Sequence, residues 1–168
     1  MTNYSDAKYG IIPGAGVTIA DQYRLISGQS TSVAAANNLE RNDRLFATVG
    51  GGVNFDQPTG IFTFPQTGVY NVTFNIQGSI NSAAGSNFGL IEVDTGSSGF
   101  LQLNMINLGK PSSGNEFQNS SGTSFVNVTN TATFQCRFGM YMATGSTFEG
   151  NSNANRTFMT FMRIGDAA

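Results

Sequence analysis

Residues 54–77 read NFDQPTGIFTFPQTGVYNVTFNIQ, and this stretch decides the fold. Successive side chains of an extended chain alternate, so Tyr70, Val72, Phe74 and Ile76 share one side of a strand and Asn71, Thr73, Asn75 and Gln77 the other. One face is core and the other polar. Just upstream, Pro58-Thr59-Gly60 and Pro65-Gln66-Thr67-Gly68 bracket a short apolar strand at 61–64 and carry the Pro and Gly that turns need. The unit is turn, strand, turn, strand.

Working outward, further short strands follow with turn signals between them, the pattern of a sandwich or barrel. Residues 90–93 form one, ended by Asp94-Thr95-Gly96; residues 100–108 form another, with Leu101, Leu103 and Met105 on one face. Residues 109–122 read as a polar loop and 125–128 as a strand. The longest clean alternation comes next, where Phe134, Cys136, Phe138, Met140 and Met142 share a face that a one-residue slip would expose. Burying such side chains is worth about 1.5–3 kcal/mol each before entropy is charged. Toward the N-terminus, AAANNLERN at 34–42 alone has helical character and is expected to be a turn or loop, and 45–49 to begin the sheet. There is no internal repeat and no linker that would split the chain in two.

The PxxG turn leading into an alternating aromatic strand resembles the globular head of the complement C1q and tumour necrosis factor families, usually worded G-x-F-T-x-P-x-x-G-x-Y-x-F-x-F. Gly60, Phe62, Thr63, Pro65, Gly68, Tyr70 and Phe74 occupy matching places, and Val72 stands where an aromatic is common. At the C-terminus, RTFMTFMRI at 156–164 resembles the closing strand of that family, T-F-S-G-F-L-L-Y, with Thr160 in place of the Gly. The resemblance spans residues 23–164 and implies an all-β, two-sheet antiparallel jelly-roll sandwich assembled as a homotrimer. On that basis residues 1–20 are an N-terminal arm and 21–168 the jelly-roll domain.

Composition agrees. The chain has 168 residues, one domain's worth, and its 14 Phe supply too much burial for disorder. Only 11% of residues are charged, which suits strands joined by polar turns better than amphipathic helices. A net charge of −2 with eight unclustered Lys and Arg argues against a nucleic-acid partner. No apolar run reaches membrane-spanning length, so no membrane insertion is expected, and MTNYSDAKYG lacks the pattern of a secretory signal. The single Cys136 can form no internal disulfide, leaving packing or association to stabilise the chain.

The closing strand carries bulk on both faces: Phe158, Met162 and Ile164 on one, Met159 and Phe161 on the other. A sandwich strand needs one apolar face. In the resembled family a neighbouring subunit covers the second face through a contact that closes into a threefold ring. Met159 and Phe161 are therefore the expected trimer interface, with Tyr141 beside them; a loop or the arm of the same chain is the other possible cover. In the arm, Tyr4, Tyr9, Ile11 and Ile12 precede Pro13-Gly14-Ala15-Gly16 and read as a docking peptide ahead of a hinge, or as a frayed terminus.

Little in the chain supports catalysis. With no His, Ser/His and Cys/His nucleophilic chemistry is excluded and ordinary zinc sites are not expected. Cys136 lies on the inward face of an alternating strand, where a thiol acts as a small hydrophobe. Glu92 and Asp94 carry calcium-type oxygen donors, although two carboxylates beside a turn read more simply as a solvated edge. Gly50-Gly51-Gly52 has neither the Lys-Ser/Thr nor the helix start of a phosphate loop and reads as a flexible turn. The Asn-x-Ser/Thr sequons at Asn3, Asn71, Asn119, Asn127 and Asn155 arise readily in so Asn-, Ser- and Thr-rich a chain, and two fall in expected strands. No cofactor is implied.

These readings lead to a non-enzymatic virion structural protein: a trimeric capsid decoration or appendage tip on the virion surface, docked by its arm to capsid or tail proteins. The alternative is an extracellular, soluble C1q-like module recognising a host glycan or protein receptor through loops at 79–87 and 112–122.

Overall fold

The computed structural model describes residues 16–44, 46, 48–83 and 85–168. Among them are eleven strands and no helix: β1 (Ala20–Leu25), β2 (Leu39–Arg41), β3 (Asn54–Asp56), β4 (Ile61–Thr63), β5 (Gly68–Asn81), β6 (Asn87–Asp94), β7 (Leu101–Leu108), β8 (Asn115–Val128), β9 (Gln135–Tyr141), β10 (Thr147–Phe148) and β11 (Phe158–Gly165). The front sheet runs β8-β5-β11-β1-β2, with β10 paired to the far end of β5; the back sheet runs β3-β4-β9-β6-β7. Every ladder is antiparallel. This is the two-sheet antiparallel jelly-roll sandwich that the sequence predicts.

The inward row of β5 is the one read from the alternation. Tyr70, Val72, Phe74 and Ile76 are buried, and Tyr70 Oη donates to the Gln66 carbonyl at 2.9 Å, tying the PxxG turn to its strand. The rings of Phe62, Phe64, Phe138 and Phe161 meet between the sheets at centroid separations of 5.0–6.1 Å, in tilted and edge-on arrangements that favour the aromatic quadrupole. Cys136 and Met140 are buried with Phe138 on β9, and Phe134 is buried just ahead of that strand, while Met142 lies partly buried against the core.

Three local expectations change. Residues 39–41, placed in a turn or loop, form β2, which pairs with β1. Of residues 45–49, Val49 makes an isolated bridge to Ala20, and Leu45 and Ala47 lie outside the described residues. The loop expected at 109–122 is shorter, because β8 begins at Asn115 and pairs with all fourteen residues of β5. The same pairing carries β5 to Asn81, so most of the two expected binding loops is strand.

The polar composition of β8 has a packing cause. The edges of the two sheets meet where β7 passes β8, and a Cβ at Gly122 would lie 2.5 Å from Ile106 Cγ1. Asn104 Nδ2 donates across the same corner to the Thr123 carbonyl and to Ser124 Oγ, each at 3.2 Å. The inward positions at that corner, Ser120, Gly122 and Ser124, are small, which interrupts the apolar period of β8 there.

Gly50, Gly51 and Gly52 all adopt positive φ, from 63° to 80°, in a defined turn. The turn delivers the Val53 N–H to Asp21 Oδ2 at 2.9 Å. Asp21 is buried and also accepts from Arg41, so the charge at the rim of the sandwich is both paired and hydrogen-bonded.

Candidate assembly face and polar groove

The register of β11 sets which residues the front sheet shows to solvent. Met159 and Phe161 stand opposite Phe74 and Val72 of β5, both inward, and are fully buried in the core of their own chain. They therefore face their own subunit's core, where they had been expected to meet a neighbour. Phe158 and Met162 stand opposite Asn75 and Asn71 and point outward. The two faces of the strand are exchanged relative to expectation. A bulge between Arg163 and Gly165 leaves Ile164 exposed beside Met162. Tyr141 lies on β9 in the back sheet, partly exposed and stacked on Phe88 at 5.0 Å, away from β11. The docking-arm residues Tyr4, Tyr9, Ile11 and Ile12 lie outside the described residues.

The outward face of the front sheet has two unlike ends. At one, the row Met162, Asn71, Phe125 crosses β11, β5 and β8, with Ile164 adjoining. Around the corner, β7 presents Leu101, Leu103 and Met105, and these six apolar residues are 40–64% exposed. The register shift between Ile91 and Glu92 leaves Leu103 without a partner, so Met105, opposite Leu90, and Leu101, opposite Val93, do not share the one face expected of them; all three are exposed, and the buried apolar residues of β7 are Ile106 and Leu108. Next to the Met162 row, Thr160, Thr73 and Thr123 form a second row, with Thr73 Oγ1 and Thr123 Oγ1 2.8 Å apart.

Beyond the threonines the face turns polar. The row Phe158, Asn75, Ser121 and the pair Gln77, Asn119 line an open groove of about 410 Å³, closed on one side by Asn155 and Arg156. Arg156 is held by Glu149 at 2.8 Å, whereas the side chains of Asn75, Gln77, Asn119 and Ser121 make no hydrogen bond to the described residues. Asn155 also lines a second depression of about 270 Å³, with Arg24, Asn42, Arg44 and Asn153. There Arg24 points outward yet is buried, donating to Glu40 at 2.8 Å, Asp43 at 2.7 Å and Asn42 at 3.2 Å. Nothing in the sequence pattern separates this arginine from an exposed one; its signal is the register that places Glu40 across from it.

The other flagged residues are occupied structurally. Glu92 accepts from Arg137 at 2.9 Å, and Asp94 accepts the Gly96 N–H at 2.7 Å in a turn, so each carboxylate has its own partner. Cys136 is fully buried, and burial, reinforced by Glu92, pushes its thiol far up from its ordinary value, which suppresses the reactive thiolate.

No family model matches the chain, and no curated protein matches it in sequence. Solved structures do match in shape. Eiger TNF from S. frugiperda superposes with a TM-score of 0.68 at 14% identity, over 91% of this chain and 96% of that one. Murine APRIL at pH 5.0 gives 0.60 at 11% identity, over 86% and 98%, and at pH 8.5 it gives 0.57 at 12% identity over the same shares. At such identities the likeness is one of fold alone: the chain folds as a jelly roll similar to those of these tumour necrosis factor structures.

Proposed function

We propose that the chain is a non-enzymatic structural head that works as a homotrimer on a virion surface. The observation that carries the assembly is the set of exposed apolar residues Met162, Ile164 and Phe125 on the front sheet and Leu101, Leu103 and Met105 on the edge strand β7. Two different exposed apolar surfaces, one on the front sheet and one on the β7 edge, suit a heterologous contact, in which the β7 edge of one copy packs on the front sheet of the next and the rotation closes into a ring. The interface residues are then Met162, Ile164 and Phe125. Fold likeness to TNF-type structures supports the same arrangement. In this reading residues 1–20 dock the head to capsid or tail subunits.

A soluble module that binds a protein or glycan receptor is the second reading, favoured by the polar groove at the other end of the face. Light scattering after size exclusion, at two protein concentrations, tests the assembly. A mass near three times 17.8 kDa supports it, and a stable monomer overturns it. Deleting residues 1–16 tests the docking: a truncated head that still enters particles normally removes the arm from the proposal.

A further inference from the structure

We infer that the groove between β5, β8 and β11 is a binding site for a neutral glycan. This deepens the second functional reading by naming a site and a ligand class, and it does not depend on how many copies assemble.

Three carboxamides carry the inference. Asn75, Gln77 and Asn119 face the same hollow from two paired strands, and none is spent on an intramolecular hydrogen bond among the described residues. A carboxamide donates and accepts through neighbouring atoms, which matches the alternating donors and acceptors of adjacent sugar hydroxyls. Ser121 adds a hydroxyl, and the partly buried ring of Phe158 lies next to Asn75 on the outward row. An aromatic face beside amides suits a pyranose, which has a C–H face and a hydroxyl edge.

Charge selects among polar ligands. Among the described residues, Arg156 is the only ionisable one lining this groove, and Glu149 pairs with it at 2.8 Å. An anionic ligand would have to break that pair, whereas an uncharged one leaves it intact. The hollow, about 410 Å³, falls within the roughly 300–1,000 Å³ of small-molecule sites. Through Asn155 it adjoins the depression walled by Arg24, Asn42, Arg44 and Asn153, whose mutual hydrogen bonds fix that wall in place.

The full chain is screened on an array of neutral, sialylated and sulfated glycans, and the best neutral binder, or lactose and chitobiose by default, is titrated against wild type, Gln77→Ala and Asn119→Ala. Saturable binding of neutral glycans is expected, with each substitution weakening it by about tenfold, as loss of a hydrogen bond implies. Molar mass and melting temperature are followed in parallel. Absence of glycan binding, binding confined to charged glycans, or binding that both substitutions leave unchanged would overturn the inference. A monomer that binds through these amides would retire the homotrimer and keep the groove; a trimer that binds no glycan would do the reverse.

Discussion

The two ends of the front sheet's outward face lie only four residues apart on β5, at Asn71 and Asn75, or about 13 Å along the strand, yet they are incomplete in different ways. The Met162–Phe125 end exposes apolar area that water penalises in proportion to its extent. The Asn75–Asn119 end exposes amides whose hydrogen bonds water already satisfies. Covering the first is favourable almost whatever the cover. Covering the second gains only when the incoming groups match the amides one by one. One sheet thus offers a site suited to association and a site suited to discrimination, divided by a row of threonines that is neither.

The largest effect tests whether this face is outward at all. Phe161→Ala, beneath the face, is expected to cost about 3–5 kcal/mol, read by denaturant unfolding, because the ring contacts Phe62, Phe64 and Phe138. A loss below about 1 kcal/mol would mean that the faces of β11 are reversed, and the comparison would collapse. Next, Met162→Asp with Ile164→Asp attacks the apolar end alone. The expected outcome is a fall in molar mass from trimer to monomer while the circular dichroism of the sandwich persists; an unchanged mass would relocate the interface. At the polar end, Asn75→Ala with Gln77→Ala should move stability by no more than about 0.5 kcal/mol and leave the mass unaltered. A large loss there would show that the amides serve the fold.

The smallest effect concerns the rim of the face. Burial raises the Asp21 carboxyl above its ordinary value, against the opposing pull of Arg41 and of the Val53 and Gln22 N–H groups. A raised native value makes its contribution to stability greatest below the ordinary carboxylate range and lost as pH climbs through the raised value. Asp21→Asn should therefore be at its greatest disadvantage to wild type at low pH, the gap narrowing toward neutrality in paired thermal melts. A gap that widens instead would mean that Arg41 outweighs burial.

How much of this was legible follows from where the pattern carries a sign. The alternation in β5 sets apolar against polar residues, so it identifies both strand and orientation. β11 is apolar on both sides, and period two then yields two faces without saying which is inside; only the pairing of Phe161 with Val72 decides it. β7 misleads because its letters carry apolar residues in both parities, Leu103 and Met105 against Ile106 and Leu108, and a bulge at Leu103 that no letter marks separates Leu101 from Met105. The first half of β8 reads as a loop because Asn115 to Asn119 carry no apolar alternation and Ser120, Gly122 and Ser124 answer to a corner made by Ile106, more than a dozen residues away. The groove is not legible because Asn75 and Gln77 lie on the polar side of β5 while Asn119 lies in a stretch that reads as a loop. What joins them is a register between residues 75–77 and 119–121, which no local window contains.

The position of β11 between β5 and β1 also governs the order of events during synthesis. β11 leaves the ribosome after every strand it joins, so until it arrives the front sheet stands as two pieces, β8 with β5 and β1 with β2, each with an open edge facing the gap. Such edges recruit other strands, including those of neighbouring nascent chains. A chain stalled or truncated before Phe158 would then be an aggregation hazard rather than a loosened version of the head. Expression at low temperature, or in the presence of a chaperone that shields strand edges, should raise the yield of this protein more than it would for a sandwich whose central strands are made first.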